Sequence, residues 1–172
     1  MHRMRTGLSL ALFALAAAAA PSFAGEHRLG LGVHYWRAVS DLADDGFDID
    51  RDGLSEVASY QYYPGGLIGF ELALERFDKG FAGGDSAVYS PQAYLLFGKG
   101  LYGGIGIGSN YSDSFTDSFS DPYFAAKVGF TMPLLPRVKL DLNANYRFDD
   151  WSELDQASSD TVTLGALLRV AL

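Results

Sequence analysis

The feature that most constrains the fold of this chain is a strict alternation of apolar and polar residues near its end. Between Val138 and Phe148, every second residue is apolar, and every residue in between is polar or charged. A period of two places successive side chains on opposite faces of a β-strand. Because a tilted strand needs about ten residues to cross the hydrocarbon layer of a membrane, this segment is long enough to span one. The apolar set is Val138, Leu140, Leu142, Ala144, Tyr146 and Phe148, and the polar set is Lys139, Asp141, Asn143, Asn145 and Arg147.

Seven further segments have the pattern of strands. Five of them alternate clearly, whereas the second and fourth segments from the N-terminus are mixed. The two mixed segments are assigned because their neighbours need antiparallel partners, and the pattern leaves open which of their faces points inward. The seven segments are Arg28–Trp36, Leu54–Tyr63, Ile68–Glu75, Val88–Gly98, Gly104–Gly108, Tyr123–Met132 and Thr161–Leu172.

The connections between these strands alternate in length. Short links rich in turn residues alternate with long links, as in outer-membrane barrels, where turns face the periplasm and loops face outward. In hydrocarbon only helices and closed barrels satisfy every backbone polar group, and the period of two argues against helices. The predicted fold is therefore all-β, an eight-stranded antiparallel up-and-down transmembrane β-barrel. The short links are Pro64–Gly66, Gly98–Gly100 and Pro133–Arg137, and the long links lie near Ser40–Gly53, Asp78–Ala87, Ser109–Pro122 and Asp149–Asp160.

A soluble antiparallel barrel or sandwich is the alternative to a membrane barrel, since such folds are also rich in aromatic residues. Strands as long as those predicted here are more than a sandwich needs. The glycines agree with a narrow barrel, because an eight-stranded barrel is just wide enough for side chains to fill its interior. Glycines on the predicted inward face would make room for longer neighbours; they are Gly30, Gly32, Gly69, Gly104, Gly106, Gly108, Gly129 and Gly165.

The first 24 residues have the three parts of a secretory signal peptide. A positive start with Arg3 and Arg5 precedes an apolar run from Leu8 to Ala20, and Ser22-Phe23-Ala24 supplies a small-x-small cleavage site. A retained membrane anchor is the alternative. We predict a signal peptide over 1–24 and a barrel domain over 25–172. Removal of 1–24 would take away two arginines and no acid, so the net charge would change from −8 to −10. Such an acidic chain is a poor candidate for nucleic-acid binding, which needs many Lys and Arg residues.

The last predicted strand resembles the assembly signal of a known family. Gly165, Leu168, Val170 and Leu172 follow Thr163 with the spacing of that signal, although the family usually ends on an aromatic residue. With the signal peptide and the eight segments, the chain resembles the small eight-stranded outer-membrane β-barrels, the group of OmpX, the OmpA transmembrane domain and the opacity-type surface proteins. The resemblance implies an outer-membrane location, contact with outer-membrane lipid and lipopolysaccharide, insertion by the barrel-assembly machinery and a plugged polar core.

Charged residues of both signs fall on the predicted inward face. Charges in a low-dielectric interior must pair or form hydrogen bonds, so we predict a polar network inside the barrel. The functional alternative is a path for protons or ions, which the narrow lumen of eight strands disfavours. The predicted network comprises Arg28, His34, Glu71, Glu75, Lys127, Lys139, Asp141, Arg147 and Arg169.

Most acidic residues fall in the four predicted long loops. A negative rim attracts divalent cations, although solvation of exposed loops explains the same composition. Asp48, Asp50 and Asp52 match the start of a calcium-binding loop, D-x-D-x-D-G, but the twelfth position is Ser59 instead of the required Glu. The three aspartates are therefore weak metal candidates, and no cofactor is predicted.

Support for enzymatic chemistry is thin. Some small outer-membrane barrels modify lipid A with a His near a Ser, and here only His34 facing Ser55 or Ser59 offers such a pair. No catalytic residue is predicted. The predicted function is a non-enzymatic outer-membrane barrel with a structural or surface-interaction role, and the alternatives are a lipid A-modifying enzyme or a narrow pore.

Overall fold

The computed structural model describes residues 25–38, 52–78, 86–112, 120, 122–148 and 161–172. Eight strands lie in these ranges and close into one antiparallel barrel, in which each strand pairs with its sequence neighbours and β1 pairs with β8. The predicted barrel is confirmed. The strands are β1 (Glu26–Ala38), β2 (Asp52–Gly65), β3 (Ile68–Phe77), β4 (Val88–Gly98), β5 (Leu101–Gly108), β6 (Tyr123–Leu135), β7 (Val138–Phe148) and β8 (Thr161–Ala171).

Two strands match their predicted bounds to the residue, five are longer by a few residues, and β8 is one residue shorter. The predicted turn residues Pro64 and Pro133 belong to the ends of β2 and β6. Both lie at interruptions of the strand register, between Tyr62 and Gly65 and between Pro133 and Leu135. Because proline lacks a backbone N–H, it is tolerated at such irregularities, and the strand continues past it.

The barrel has two different ends. The turn end carries Gly66–Leu67, Lys99–Gly100 and Pro136–Arg137, together with the start of β1 and the end of β8. The loop end carries the other four connections. Asp52 was predicted to lie in the first long loop, but it begins β2 opposite Arg37 of β1. The predicted loop residues Asp48 and Asp50 lie outside the described residues, as does the predicted signal peptide over 1–24, which stays a prediction.

The faces of the strands differ as the alternation predicted. In β7, Asp141, Asn143 and Asn145 are buried in the lumen, whereas Leu142 points outward and is exposed. The structure also shows which face of the two mixed strands, β2 and β4, points into the barrel. The inward residues of β2 are Ser55, Val57, Ser59, Gln61 and Tyr63, and those of β4 are Val88, Ser90, Gln92, Tyr94 and Leu96.

The outer wall of the barrel is an apolar surface formed by every strand. Aliphatic and aromatic side chains that would be buried in a soluble protein are exposed here, while charged side chains fill the interior. This inversion is the pattern of a barrel surrounded by lipid, and it does not fit the soluble alternative. No helix in the described ranges is long and apolar enough to cross a membrane. The exposed apolar residues include Leu31, Val33, Phe70, Leu72, Leu74, Ile105, Ile107, Val128, Phe130, Leu142, Leu164, Leu168 and Val170.

Candidate functional site

The candidate site is the polar interior of the barrel, which is organised around four carboxylates. Glu75 lies nearest the loop end, Glu71 and Asp141 lie in the middle, and Glu26 lies at the turn end. Glu71, Glu75 and Asp141 are almost completely buried. Each of them is bound by at least one cation and at least one neutral donor, which is what a buried charge requires.

The middle layer is joined by one arginine. Arg169 of β8 donates from Nε to Asp141 at 2.7 Å and from Nη2 to Glu71 at 3.3 Å. Its Nη1 donates to Ser59 Oγ at 2.8 Å, so the guanidinium donates hydrogen bonds to side chains of three strands. Lys127 Nζ adds a second cation to Glu71 at 3.0 Å and lies 4.0 Å from the centre of the Tyr94 ring. Arg169 therefore ties β8 to β2, β3 and β7 across the lumen.

Neutral side chains complete the middle layer. Tyr102 donates to Asp141 at 2.9 Å, and Thr131 and Asn143 donate to the same carboxylate at 3.2 and 3.0 Å. Gln61 donates to Glu71 at 2.8 Å. The two carboxylates are thus hydrogen-bonded to side chains from five strands, and the described part of the lumen at this level is occupied by side chains.

The layer near the loop end is centred on Glu75. Arg147 forms an ion pair with it, and His34 Nδ1 lies 3.0 Å from its Oε1. Ser55 also donates to Glu75, and Gln92 donates to it at 3.1 Å. The Arg147 guanidinium lies 5.1 Å from the Phe77 ring and 5.2 Å from the Tyr123 ring. Beyond it, Trp36, Phe77 and Val88 form an apolar cluster toward the loop end.

The turn end has a separate, more accessible cluster. Glu26 contacts Arg28 at 2.9 Å, Lys139 at 2.8 Å and Lys99 at 3.4 Å. Lys139 was predicted to belong to the interior network, but its side chain is 29% exposed and lies at the rim. Lys139 is the second residue of β7, which begins at the turn end, so its inward side chain lies at the mouth of the barrel. Arg28 lies deeper and 4.7 Å from the Tyr63 ring.

The structure thus places eight of the nine predicted network residues in the buried interior and Lys139 at the rim. Sequence reasoning missed Glu26, which comes before the first predicted strand. It also missed Gln61, Gln92 and Tyr94, because they belong to the two strands whose facing the pattern left open. The register of β2 and β4 against β3 would have identified them, because residues paired across neighbouring strands lie on the same face and the face of each β3 residue is clear from its alternation.

The pair that an enzyme would need is not formed. Ser55 Oγ donates to Glu75 and lies 3.4 Å from the His34 backbone oxygen, while His34 Nε2 is buried and has no hydrogen-bond partner among the residues that the structure describes. Ser59 is bonded to Arg169 instead of His34. Among the described residues, no group of three or more His, Asp and Glu side chains is arranged to hold a metal ion.

The closed antiparallel barrel, apolar outside and polar inside, defines the class of protein as a transmembrane β-barrel of the outer-membrane type. Solved structures agree. Neisserial surface protein A (NspA) is 14% identical with a TM-score of 0.52, over 86% of this chain and 96% of that chain. A de novo designed transmembrane β-barrel is 12% identical with a TM-score of 0.50, over the same shares of the two chains.

A third structure, the attachment invasion locus protein Ail of Yersinia pestis, is 18% identical with a TM-score of 0.49, over 86% of this chain and 99% of that chain. At 14% identity the likeness to NspA concerns the fold, and at that level it confirms the resemblance to small eight-stranded outer-membrane barrels. No protein-family model matches the chain. No curated protein sequence matches it either.

Proposed function

We propose that this protein is a non-enzymatic barrel of the bacterial outer membrane that acts through its surfaces, either by supporting the envelope or by contacting molecules outside the cell. In this arrangement the turn end faces the periplasm and the loop end faces outward. The observation that carries the proposal is the combination of an apolar outer wall with a lumen in which the charged side chains are paired. A barrel of this kind has its free surfaces in the lipid and at its two ends.

The paired interior also argues against the two alternatives. A lipid A-modifying enzyme needs a nucleophile or base that reaches the lipid, but His34, Ser55 and Ser59 are buried inside the barrel. A pore needs an open lumen, but Arg169 spans the middle of this one. The acidic residues predicted in the long loops would attract divalent cations, which favours a role at the cell surface. The structural neighbour NspA is, by its name, a surface protein, and this favours the same role.

The first experiment is electrophoresis in SDS of the detergent-extracted outer-membrane fraction, unheated and boiled. A transmembrane barrel is expected to resist SDS without heating and to migrate differently after boiling. A protein found in the soluble periplasmic fraction, with one mobility under both conditions, would overturn the proposed location.

The enzyme alternative is tested by mass spectrometry of lipid A from cells with and without the protein. We expect the same lipid A species in both. A new or missing acyl chain that disappears in a His34→Ala variant would replace our proposal with the enzyme. Ser90→Ala, which removes a buried hydroxyl bonded to Tyr123, is a matched control for damage to the interior.

A further inference from the structure

The third connection at the turn end has an unusual backbone. Leu135 of β6 pairs with Val138 of β7, and only Pro136 and Arg137 lie between them. Arg137 has a φ of 67°, and no other described non-glycine residue has a positive φ. Proline followed by a positive φ fits a type II turn, whose second central position favours glycine.

In the two other turns at this end, the residue with a positive φ is a glycine. These residues are Gly66, at 62°, and Gly98, at 106°. Arginine in the left-handed region is strained, because its Cβ crowds the backbone. Strained residues of this kind cluster at functional sites, where the side chain is needed in spite of its cost.

The Arg137 side chain is exposed and unpaired within the part of the chain that the structure describes. The other cations at this end are engaged, since Arg28, Lys99 and Lys139 all contact Glu26. Arg137 therefore presents its positive charge to its surroundings, and no carboxylate in the described ranges forms an ion pair with it.

The immediate neighbours of Arg137 are apolar. Leu134 and Leu135 are 50% and 66% exposed, and Pro136 is exposed beside them. Exposed leucines next to a free cation are typical of a segment at a lipid interface, where apolar side chains enter the acyl region and the cation reaches the phosphates. An acidic polymer or protein in water would give these leucines no apolar environment.

We propose that Arg137 binds the headgroup phosphate of an anionic phospholipid in the periplasmic leaflet, with Leu134 and Leu135 set against its acyl chains. The inference rests on the proposed membrane location and orientation. A guanidinium forms paired hydrogen bonds to phosphate oxygens, which suits this role better than an ammonium group. The left-handed backbone of Arg137 holds the side chain at the tip of the turn.

The test uses three variants of the full barrel. Arg137→Gln keeps a strained non-glycine residue and loses the charge, Arg137→Gly loses both, and Arg137→Lys keeps both. Each barrel is inserted into nanodiscs of phosphatidylcholine with a minor share of phosphatidylglycerol. Phosphatidylglycerol that stays bound after extraction is counted by native mass spectrometry, and the unfolding temperature is followed by the electrophoretic shift.

We expect the Gln and Gly variants to retain phosphatidylglycerol about fivefold less well than the parent, the effect of one cation near an anionic surface. The Lys variant should retain an amount between those of the parent and the Gln variant, because its ammonium group keeps the charge but cannot form the paired hydrogen bonds. In pure phosphatidylcholine, Arg137→Gly should unfold at a higher temperature than the parent, because the strain is relieved, and Arg137→Gln should not.

Equal retention of phosphatidylglycerol by all four barrels would overturn the inference. The inference would also be overturned if inorganic phosphate, at a concentration similar to that of the lipid, displaced phosphatidylglycerol, because the site would then bind free anions. If the Gln and Gly variants lost binding to isolated cell-wall polymer but retained phosphatidylglycerol like the parent, Arg137 would bind the cell wall, and the proposed lipid site would be rejected. Failure of the parent to insert into nanodiscs would instead reject the proposed membrane location.

Discussion

At the scale of single residues, the interior of this protein is held by a few charged side chains that each have several partners. Arg169 contacts Asp141, Glu71 and Ser59, and Glu75 is shared by Arg147, His34 and Ser55. Leaving one partner of such a group alone in a low-dielectric interior costs much more than the pair gains. The network therefore makes the barrel sensitive to single changes inside the lumen.

Arg169→Gln is expected to lower the free energy of unfolding by about 3–5 kcal/mol, because Asp141 loses its only described cation and Glu71 keeps only Lys127. Urea titration in detergent micelles, followed by the electrophoretic shift, measures the change. Arg76→Gln is the matched control, since Arg76 pairs with the exposed Glu56 and Asp78 on the outside of the barrel, at the end of β3 near the loop end. That variant should lose about 0–1 kcal/mol. Equal losses would mean that the Arg169 network contributes no more than a surface pair.

At the scale of the strands, glycines on the inner face are covered by large side chains of neighbouring strands. Gly129 of β6 lies against the Tyr102 ring of β5, Gly106 lies against Tyr94, and Gly108 lies against Tyr123. An aromatic ring above a glycine fills the missing volume, as in the rescue of glycines within sheets. This packing lets three tyrosines lie inside a lumen that eight strands leave narrow.

Gly129→Ala is expected to destabilise the barrel by about 1–3 kcal/mol, because a Cβ at this position would collide with the Tyr102 ring. Gly103→Ala is the control on β5, since a Cβ there would meet only the Lys127 carbonyl oxygen at 3.8 Å. That control should change stability by about 0.5 kcal/mol or less. The unfolding midpoint in urea compares the two, and a larger effect at Gly103 would contradict the packing described here.

Leu142→Arg probes the outer face of β7. A cation at the centre of the lipid-facing wall is expected to cost about 2–4 kcal/mol, measured by the fraction of barrel that folds into vesicles. Leu67→Arg, in the turn between β2 and β3, should cost about 1 kcal/mol or less, because cations near the interface are tolerated. If Leu142→Arg inserts and resists heat like the parent, Leu142 does not face lipid.

At the scale of the whole molecule, closure of the sheet determines what the barrel can do. Closure removes both sheet edges, so every strand has two partners and the backbone is satisfied within the membrane. It also brings side chains of opposite strands together, so that Lys127 of β6 reaches Glu71 of β3 and Arg147 of β7 reaches Glu75 of β3. The result is that paired side chains fill the described part of the lumen.

Liposomes that contain the folded protein are therefore expected not to swell in solutions of small sugars. The rate of swelling, followed by light scattering, should equal that of liposomes without protein, and an open porin serves as the positive control. Sugar entry at a rate well above this background would contradict the closed lumen.

The amino-acid sequence by itself determined the number of strands and the facing of most of them. The alternation from Val138 to Phe148 is a local property, because each residue's face follows from its parity along one strand. For that reason β7 could be bounded to the residue, and the inward positions of Glu71, Asp141 and Arg169 followed from the pattern. The mixed strands β2 and β4 carried no such signal, and Gln61 and Gln92 were missed with them.

Only the tertiary structure decided which inward residues meet. The pattern placed Arg169 inside the barrel without giving its partners, and in the structure it contacts Asp141 and Glu71. The pairing of residues on distant strands depends on the stagger between strands, which is set when the sheet closes and is a property of the whole barrel. The structure also places Lys139 at the rim and leaves Arg137 exposed at its turn. The alternation of apolar and polar residues could not show this, because it gives the face on which a residue lies and not its distance from the end of the barrel.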